Sequence, residues 1–155
     1  ESFRQELFNE NIGKIQFIQD NESKSSFGVL RGLHYQLPPF AQSKLVRVVY
    51  GKVLDVAVDI RRTSPTFGKH VSIELSGENK KQFFISKGFV HGYVVLSDYA
   101  VFQYKVDNYY SKESERGILF DDEDLNIKWM LDKENLVVTQ KDKLNKKFSE
   151  ADLFE

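Results

Sequence analysis

Residues 43–61 read SKLVRVVYGKVLDVAVDIR. Two runs rich in β-branched residues flank Tyr50-Gly51-Lys52, so the stretch predicts two strands joined by a hairpin turn. The pattern recurs on both sides. Upstream, KIQFIQDN (14–21) alternates, with Ile15, Phe17 and Gln19 on one face and Gln16, Ile18 and Asp20 on the other. Downstream, KHVSIELS (69–76) alternates, and KQFFIS (81–86) and HGYVVLSDYAVFQYKVDNYY (91–110) supply further strands. SPTFG (64–68) and GENK (77–80) are turns. Helical spacing is confined to the ends: SFRQELFNENIG (2–13), stopped by Gly13, and KDKLNKKFSEADLF (141–154), a helical turn or irregular tail. LNIKWML (125–131) is a short apolar run. Short strands punctuated by turns every ~8 to 12 residues predict an all-β sandwich or barrel, not a parallel α/β sheet.

The totals agree with one domain over residues 1–155: 41% of the chain is hydrophobic and 29% charged. A formal net charge of −1 gives no basic field for nucleic acid. No apolar run approaches the roughly 18 residues of a membrane span, and the polar opening ESFRQELFNENIG is no signal peptide. The absence of Cys removes disulfides, thiolate metal sites and Cys nucleophiles, and fits a reducing cytoplasm. Thirteen Phe and seven Tyr predict an aromatic β-rich core.

RGLHYQ (31–36) concentrates the chemistry, with Arg31, His34, Tyr35 and Gln36 around Gly32. His34, His70 and His91 are isolated, without H-x-H or H-x-x-x-H spacing, so no metal site is expected. There is no G-x-S-x-G elbow and no phosphate-binding glycine loop. General acid–base work remains, for which His is the commonest residue. On pattern alone, His34 reads equally as a core histidine or a proton-transfer group. In VFQYKVDNYY (101–110), Phe102, Tyr104 and Val106 share a face, so Tyr104 points inward, either as a core tyrosine or as an acid on a pocket wall. Taken alone, Lys44, Glu115, Lys141 and Asp142 are solvated charges. Gln19 and Asn21 are polar turn groups, His91 is a loop residue between Gly88 and Gly92, and His70 is a strand histidine.

Four blocks carry a wider signal: QDNESKSSFGVLRGLHYQ (19–36), KLVRVVYGKVLDVAVDIRRTSPTFGK (44–69), the stretch 74–129 around GFVHGY, and VVTQKDK (137–143). In order and spacing they resemble the dTDP-4-dehydrorhamnose 3,5-epimerase family over nearly the whole chain. The resemblance implies a cupin-type jelly-roll barrel with short helical segments at its ends, a homodimer, and no metal or cofactor. It implies epimerisation at C3 and C5 of dTDP-4-dehydro-6-deoxy-D-glucose to dTDP-4-dehydro-L-rhamnose, in dTDP-L-rhamnose biosynthesis. A single-carbon 3- or 5-epimerase and a non-catalytic sugar-nucleotide-binding cupin are the alternatives.

By the same resemblance His34 matches the base, Asp142 its carboxylate partner, and Tyr104 the acid on the opposite face. Lys44 matches a cation beside the 4-keto oxygen, and Arg31 a diphosphate contact. Gln19 and Asn21 match nucleotide contacts, His91 lines the sugar site, and Tyr110 lies beside the base. Glu1, Glu115 and Lys141 match further substrate contacts. Two features depart from the pattern. The family carries strands ahead of Glu1, so its N-terminal strands are expected to be missing, which would leave an open sheet edge. Ser86-Lys87 also stands where a Pro-acidic pair is common, which predicts a looser loop before His91. Finally, plain alternation sends Arg31 and His34 to opposite faces. If both serve one site, the strand must bend or bulge near Gly32.

Overall fold

The computed structural model describes residues 1–155. Its strands are β1 (Gln19–Ser26), β2 (Val29–Gln36), β3 (Lys44–Tyr50), β4 (Lys52–Asp59), β5 (His70–Ser76), β6 (Gln82–Ile85), β7 (Phe89–Val95), β8 (Tyr99–Val106), β9 (Glu115–Gly117) and β10 (Val137–Val138). The short helices α1 (Gln5–Asn11) and α2 (Gln140–Lys143) lie near the two ends. One sheet has the order β1-β8-β3-β6; the other runs β10-β2-β7-β4-β5, with β9 added on β2. Successive strands mostly change sheets, which is the jelly-roll arrangement that the family resemblance implies and one form of the all-β sandwich or barrel read from the strand pattern. No helix is long and apolar enough to cross a membrane.

The opening stretch folds differently from its local signal. β3 and β4 belong to different sheets and do not pair; β3 pairs with β6 and β8, and β4 with β5 and β7. Tyr50-Gly51-Lys52 is therefore a corner between sheets, not a hairpin turn. Gly51 sits at φ +78°, and a Cβ there would stand 2.1 Å from the Tyr99 carbonyl. The chain does turn at Gly51, but the strands on either side of it are paired by distant contacts.

β4 also explains why its sequence is nearly continuous in apolar residues. Every residue from Val53 to Asp59 is buried, because the strand is covered on both faces. Leu54, Val56 and Val58 pack with Leu30, Leu33, Tyr35, Val90 and Val94 beneath Ile118, Phe120, Leu125 and Trp129 of the C-terminal third. Val53 and Ala57 instead join Val46, Val48, Leu75, Ile85, Val95 and Phe102 between the sheets. The LNIKWML run thus forms a cover rather than a strand. Its Trp129 indole is buried and donates to the Phe120 carbonyl at 2.7 Å.

A second difference concerns residues 14–21. The strand starts at Gln19 and continues through a polar run, QDNESKSS, while Lys14–Ile18 is irregular. β1 is an edge strand, and its inward face borders the polar cleft described below, so hydrophobic alternation does not mark it. Phe17 leaves the sheet pattern to pack edge-on against Phe3 and Phe8, and Phe8 reaches Phe84 of β6. That aromatic contact seats α1 over the four-stranded sheet.

β2 carries the irregularity that RGLHYQ requires. Arg31 pairs with Tyr93 and His34 with His91, so three steps along β2 span two along β7. This is a bulge. It keeps Leu30, Leu33 and Tyr35 on the core side while Arg31 and His34 both face the cleft. Gly32 makes it possible: at φ +131°, its ideal Cβ would stand 2.6 Å from the Gly92 Cα and 2.9 Å from the His91 carbonyl oxygen. Gly32→Ala should therefore cost about 1–3 kcal/mol, seen as a lower urea midpoint at unchanged slope. An unchanged midpoint would mean that β2 does not need this close approach.

Candidate active site

The two sheets part at one end to form a cleft of about 600 Å³. The four-stranded sheet contributes Asn21 and Ser23 from β1, Lys44 from β3, and Phe102 and Tyr104 from β8. The opposite wall is Arg31 and His34 from β2 and His91 and Tyr93 from β7, with Thr139, Lys141 and Asp142 closing from the α2 end. The fold thus gathers eight residues singled out in the sequence: His34, Tyr104, Asp142, Lys44, Asn21, Arg31, His91 and Lys141.

His34 and Asp142 are 108 residues apart in sequence and meet at 2.6 Å, His34 Nε2 to Asp142 Oδ1. The carboxylate side chain is 4% exposed and the imidazole 32%, so the acid is held inside while the ring opens to the cleft. Thr139 caps α2 by accepting from the Asp142 amide at 3.2 Å, which fixes the residue that carries the carboxylate. The Gly32 amide points to the other oxygen at 3.4 Å. Burial pushes the Asp142 carboxyl up, but His34, the Gly32 N–H and Thr139 outweigh it and hold it below the usual range. An ionised carboxylate against one ring nitrogen fixes the tautomer and leaves the other nitrogen with its lone pair.

Tyr104 stands on the opposite sheet. Burial, with the neighbouring Tyr93 adding to it, raises its phenol above the ordinary value, and Arg31 opposes. The hydroxyl is therefore protonated at neutral pH. Lys44 is pushed down to about 8 by burial, against the pull of Asp55 and Glu115.

The remaining expected residues fall into two groups and one exception. Gln19 donates to Asn21 at 2.8 Å on β1. At the rim, Tyr110 and Lys141 both bond Glu115 Oε2, at 3.0 and 2.6 Å, so three residues from separate segments form one cluster. Buried Gln36 supports that rim by donating to the Phe40 and Tyr109 carbonyls and accepting from the Ser111 amide. Glu1 does not reach the cleft; it pairs with Arg4 at the exposed N-terminus. His91 is not a loop residue but lies inside β7, and Lys87 ties the turn before it to Asp107 at 3.1 Å. His70 lies on β5, outside the cleft.

Sequence reasoning missed Asp55, Tyr93, Ser23, Ser25 and Thr139. Asp55 is fully buried, and His91 Nε2 lies 3.0 Å from both of its oxygens. Burial pushes Asp55 up and His91 down, each against the attraction of the other. Its signal was present: a carboxylate in the midst of VLDVAVDI needs a partner. Ser25 is buried and accepts from Arg31 Nε at 3.2 Å, which orients the guanidinium. Nothing in a polar edge strand distinguishes such a serine beforehand.

A paired histidine and a protonated tyrosine on facing walls, with a lysine beside them, are the parts of a proton-transfer site. The comparisons agree. The family model described as dTDP-4-dehydrorhamnose 3,5-epimerase matches residues 1–150. The chain belongs to this family. The 3,5-epimerase of Shigella flexneri is 57% identical over 155 residues, covering 99% of this chain and 84% of its own. That of Pseudomonas aeruginosa is 51% identical over the same shares. The Legionella pneumophila epimerase, solved in complex with dTDP-4-keto-L-rhamnose, superposes with a TM-score of 0.96 at 48% identity, over 100% of this chain and 84% of that one. The 3,5-epimerase family fold is the two-sheet jelly roll described above.

Proposed function

We propose that the chain inverts C3 and C5 of dTDP-4-dehydro-6-deoxy-D-glucose to give dTDP-4-dehydro-L-rhamnose, a step of dTDP-L-rhamnose biosynthesis. The observation that carries this reading is the His34–Asp142 pair and the Tyr104 phenol on opposite walls of one cleft. Inversion needs a proton removed from one face of a carbon and another delivered to the other face; a single group would tend to restore the starting configuration. The 4-keto group acidifies the hydrogens on C3 and C5. His34 takes the proton, Asp142 stabilises the imidazolium, and the electron pair moves onto the ketone oxygen as an enolate. Tyr104 then protonates the carbon from the other side.

Lys44 faces the enolate oxygen in this reading, where a preorganised cation contributes on the order of 3 kcal/mol. Arg31, held by Ser25, grips the diphosphate with a planar fork. Gln19 and Asn21 contact the nucleotide and His91 the sugar. Tyr110, with Glu115 and Lys141 behind it, flanks the base. A homodimer belongs to the same reading, and light scattering measures it; Glu1, paired with Arg4 away from the cleft, is not part of it.

NMR of the 4-keto sugar nucleotide in D2O with the purified chain tests the function. Deuterium at two inverted carbons is the expected result. One inverted carbon would make it a single-carbon epimerase, and binding without exchange a non-catalytic one. Lys44 adds a pH dependence. Its ammonium is present below about 8 and lost above it. The rate constant kcat/KM, which reports the free enzyme, should fall as pH rises through that value. Lys44→Arg keeps the cation and should move the fall to higher pH; an unmoved fall would assign it to another group.

A further inference from the structure

Gln36 ends the RGLHYQ stretch, and the roles given above to Arg31 and His34 leave it without one. It lies at the end of β2, paired with Glu115 of β9, and is 5% exposed. A side-chain amide offers two N–H donors and a carbonyl acceptor, and Gln36 uses all three. Its Nε2 donates to the Phe40 carbonyl at 2.7 Å and to the Tyr109 carbonyl at 3.1 Å. Its Oε1 accepts from the Ser111 amide at 2.7 Å. One buried side chain therefore grips the chain immediately before and immediately after Tyr110, and ties both points to the loop at Phe40.

Tyr110 needs such a hold. Its ring is 60% exposed at the rim, and its own backbone amide and carbonyl bond nothing in the protein. Its hydroxyl donates to Glu115 Oε2 at 3.0 Å. The ring is thus fixed at its tip by Glu115 and at its root by Gln36. Two further bonds join the same loops, from Asn108 Nδ2 to the Pro39 carbonyl at 3.0 Å and from Gln42 Nε2 to the Asn108 carbonyl at 2.7 Å. Both act on residue 108, so Gln36 alone brackets residue 110. An exposed aromatic on a loose loop would have to be ordered when a ligand stacks on it, and that ordering weakens binding. The position also demands this residue type. Ionised Glu has no donor, Leu has no polar atom, and Asn is one methylene shorter.

We propose that Gln36 is a positioning residue that sets nucleotide affinity, by holding Tyr110 in the orientation that stacks on the base. It touches no substrate and acts through Tyr110. The proposal rests on the reading above in which Tyr110 flanks the base of a dTDP-sugar.

The test is a double-mutant cycle on dTDP binding, measured by calorimetry with wild type, Gln36→Leu, Tyr110→Ala and the double variant. Gln36→Leu should bind dTDP on the order of 10-fold more weakly, a loss of the size that one base–aromatic stack carries. In the Tyr110→Ala background the same change should cost little more. With the 4-keto sugar nucleotide, the loss should fall on KM rather than on kcat. Gln36→Glu keeps the shape and the acceptor, and serves if urea unfolding shows that the Leu variant does not fold; the same loss is expected. An equal loss with and without Tyr110 would show that Gln36 acts on binding by another route and overturn the proposal. So would unchanged dTDP affinity in the folded variants, or wild-type affinity in Tyr110→Ala. Wild-type protein that binds no dTDP would instead refute the sugar-nucleotide reading itself.

Discussion

His34→Asn is expected to lose solvent exchange at both carbons, with a fall of about 10²- to 10⁴-fold in rate, the range one general base supplies. The reason lies in the pair rather than in the histidine alone. Asp142 is buried and ionised, so it lowers the cost of charging the imidazole as the proton arrives. Asn cannot accept that proton at any accessible pH. It does keep an amide that can donate to Asp142, which makes it a better probe than Ala. His34→Ala would leave a carboxylate with a 4% exposed side chain without its 2.6 Å partner. The penalty of about 1–3 kcal/mol would mix instability with lost chemistry. Exchange monitored by NMR in D2O, beside thermal unfolding of the same sample, separates the two effects. Wild-type exchange in the Asn variant would remove His34 from the role of base.

Tyr104→Phe has the second largest expected effect, and its signature differs. The base is intact, so the carbon-bound proton still leaves. Deuterium should then wash into the substrate with its configuration retained, while inversion falls about 10²-fold or more. The two readouts diverge because abstraction and delivery use opposite walls of the cleft, β2 and β8. Burial, with the neighbouring Tyr93 adding to it, holds the phenol above its ordinary value and Arg31 only partly opposes, so the wild-type acid stays protonated through neutral pH. No loss of rate near pH 7 should trace to this residue. Normal epimerisation by the Phe variant would place the acid elsewhere.

The sequence made some of this legible and hid the rest for identifiable reasons. Strand content was readable because alternation and β-branched runs are local, as in KHVSIELS and VFQYKVD. Strand pairing was not. Tyr50-Gly51-Lys52 has turn chemistry, yet a turn does not say whether the chain folds back on its neighbour or crosses to the other sheet. The polar edge strand from Gln19 to Ser26 was concealed because its inner face meets a polar cleft instead of a core. Likewise Asp142, in a lysine-rich tail, resembles a solvated charge until α2 folds it against β2.

By itself, the sequence determined the all-β class, the inward face of Tyr104, and the need for a bulge near Gly32 if Arg31 and His34 were to share a site. Those follow from periods of one or two residues and from steric limits at single positions. Only the tertiary structure decided that His34 meets Asp142, that His91 is held by Asp55, and that Tyr93 faces Ser23. Each of these pairs joins residues separated by 36 to 108 positions. Their geometry is set by how two sheets pack around a core, which no local pattern encodes.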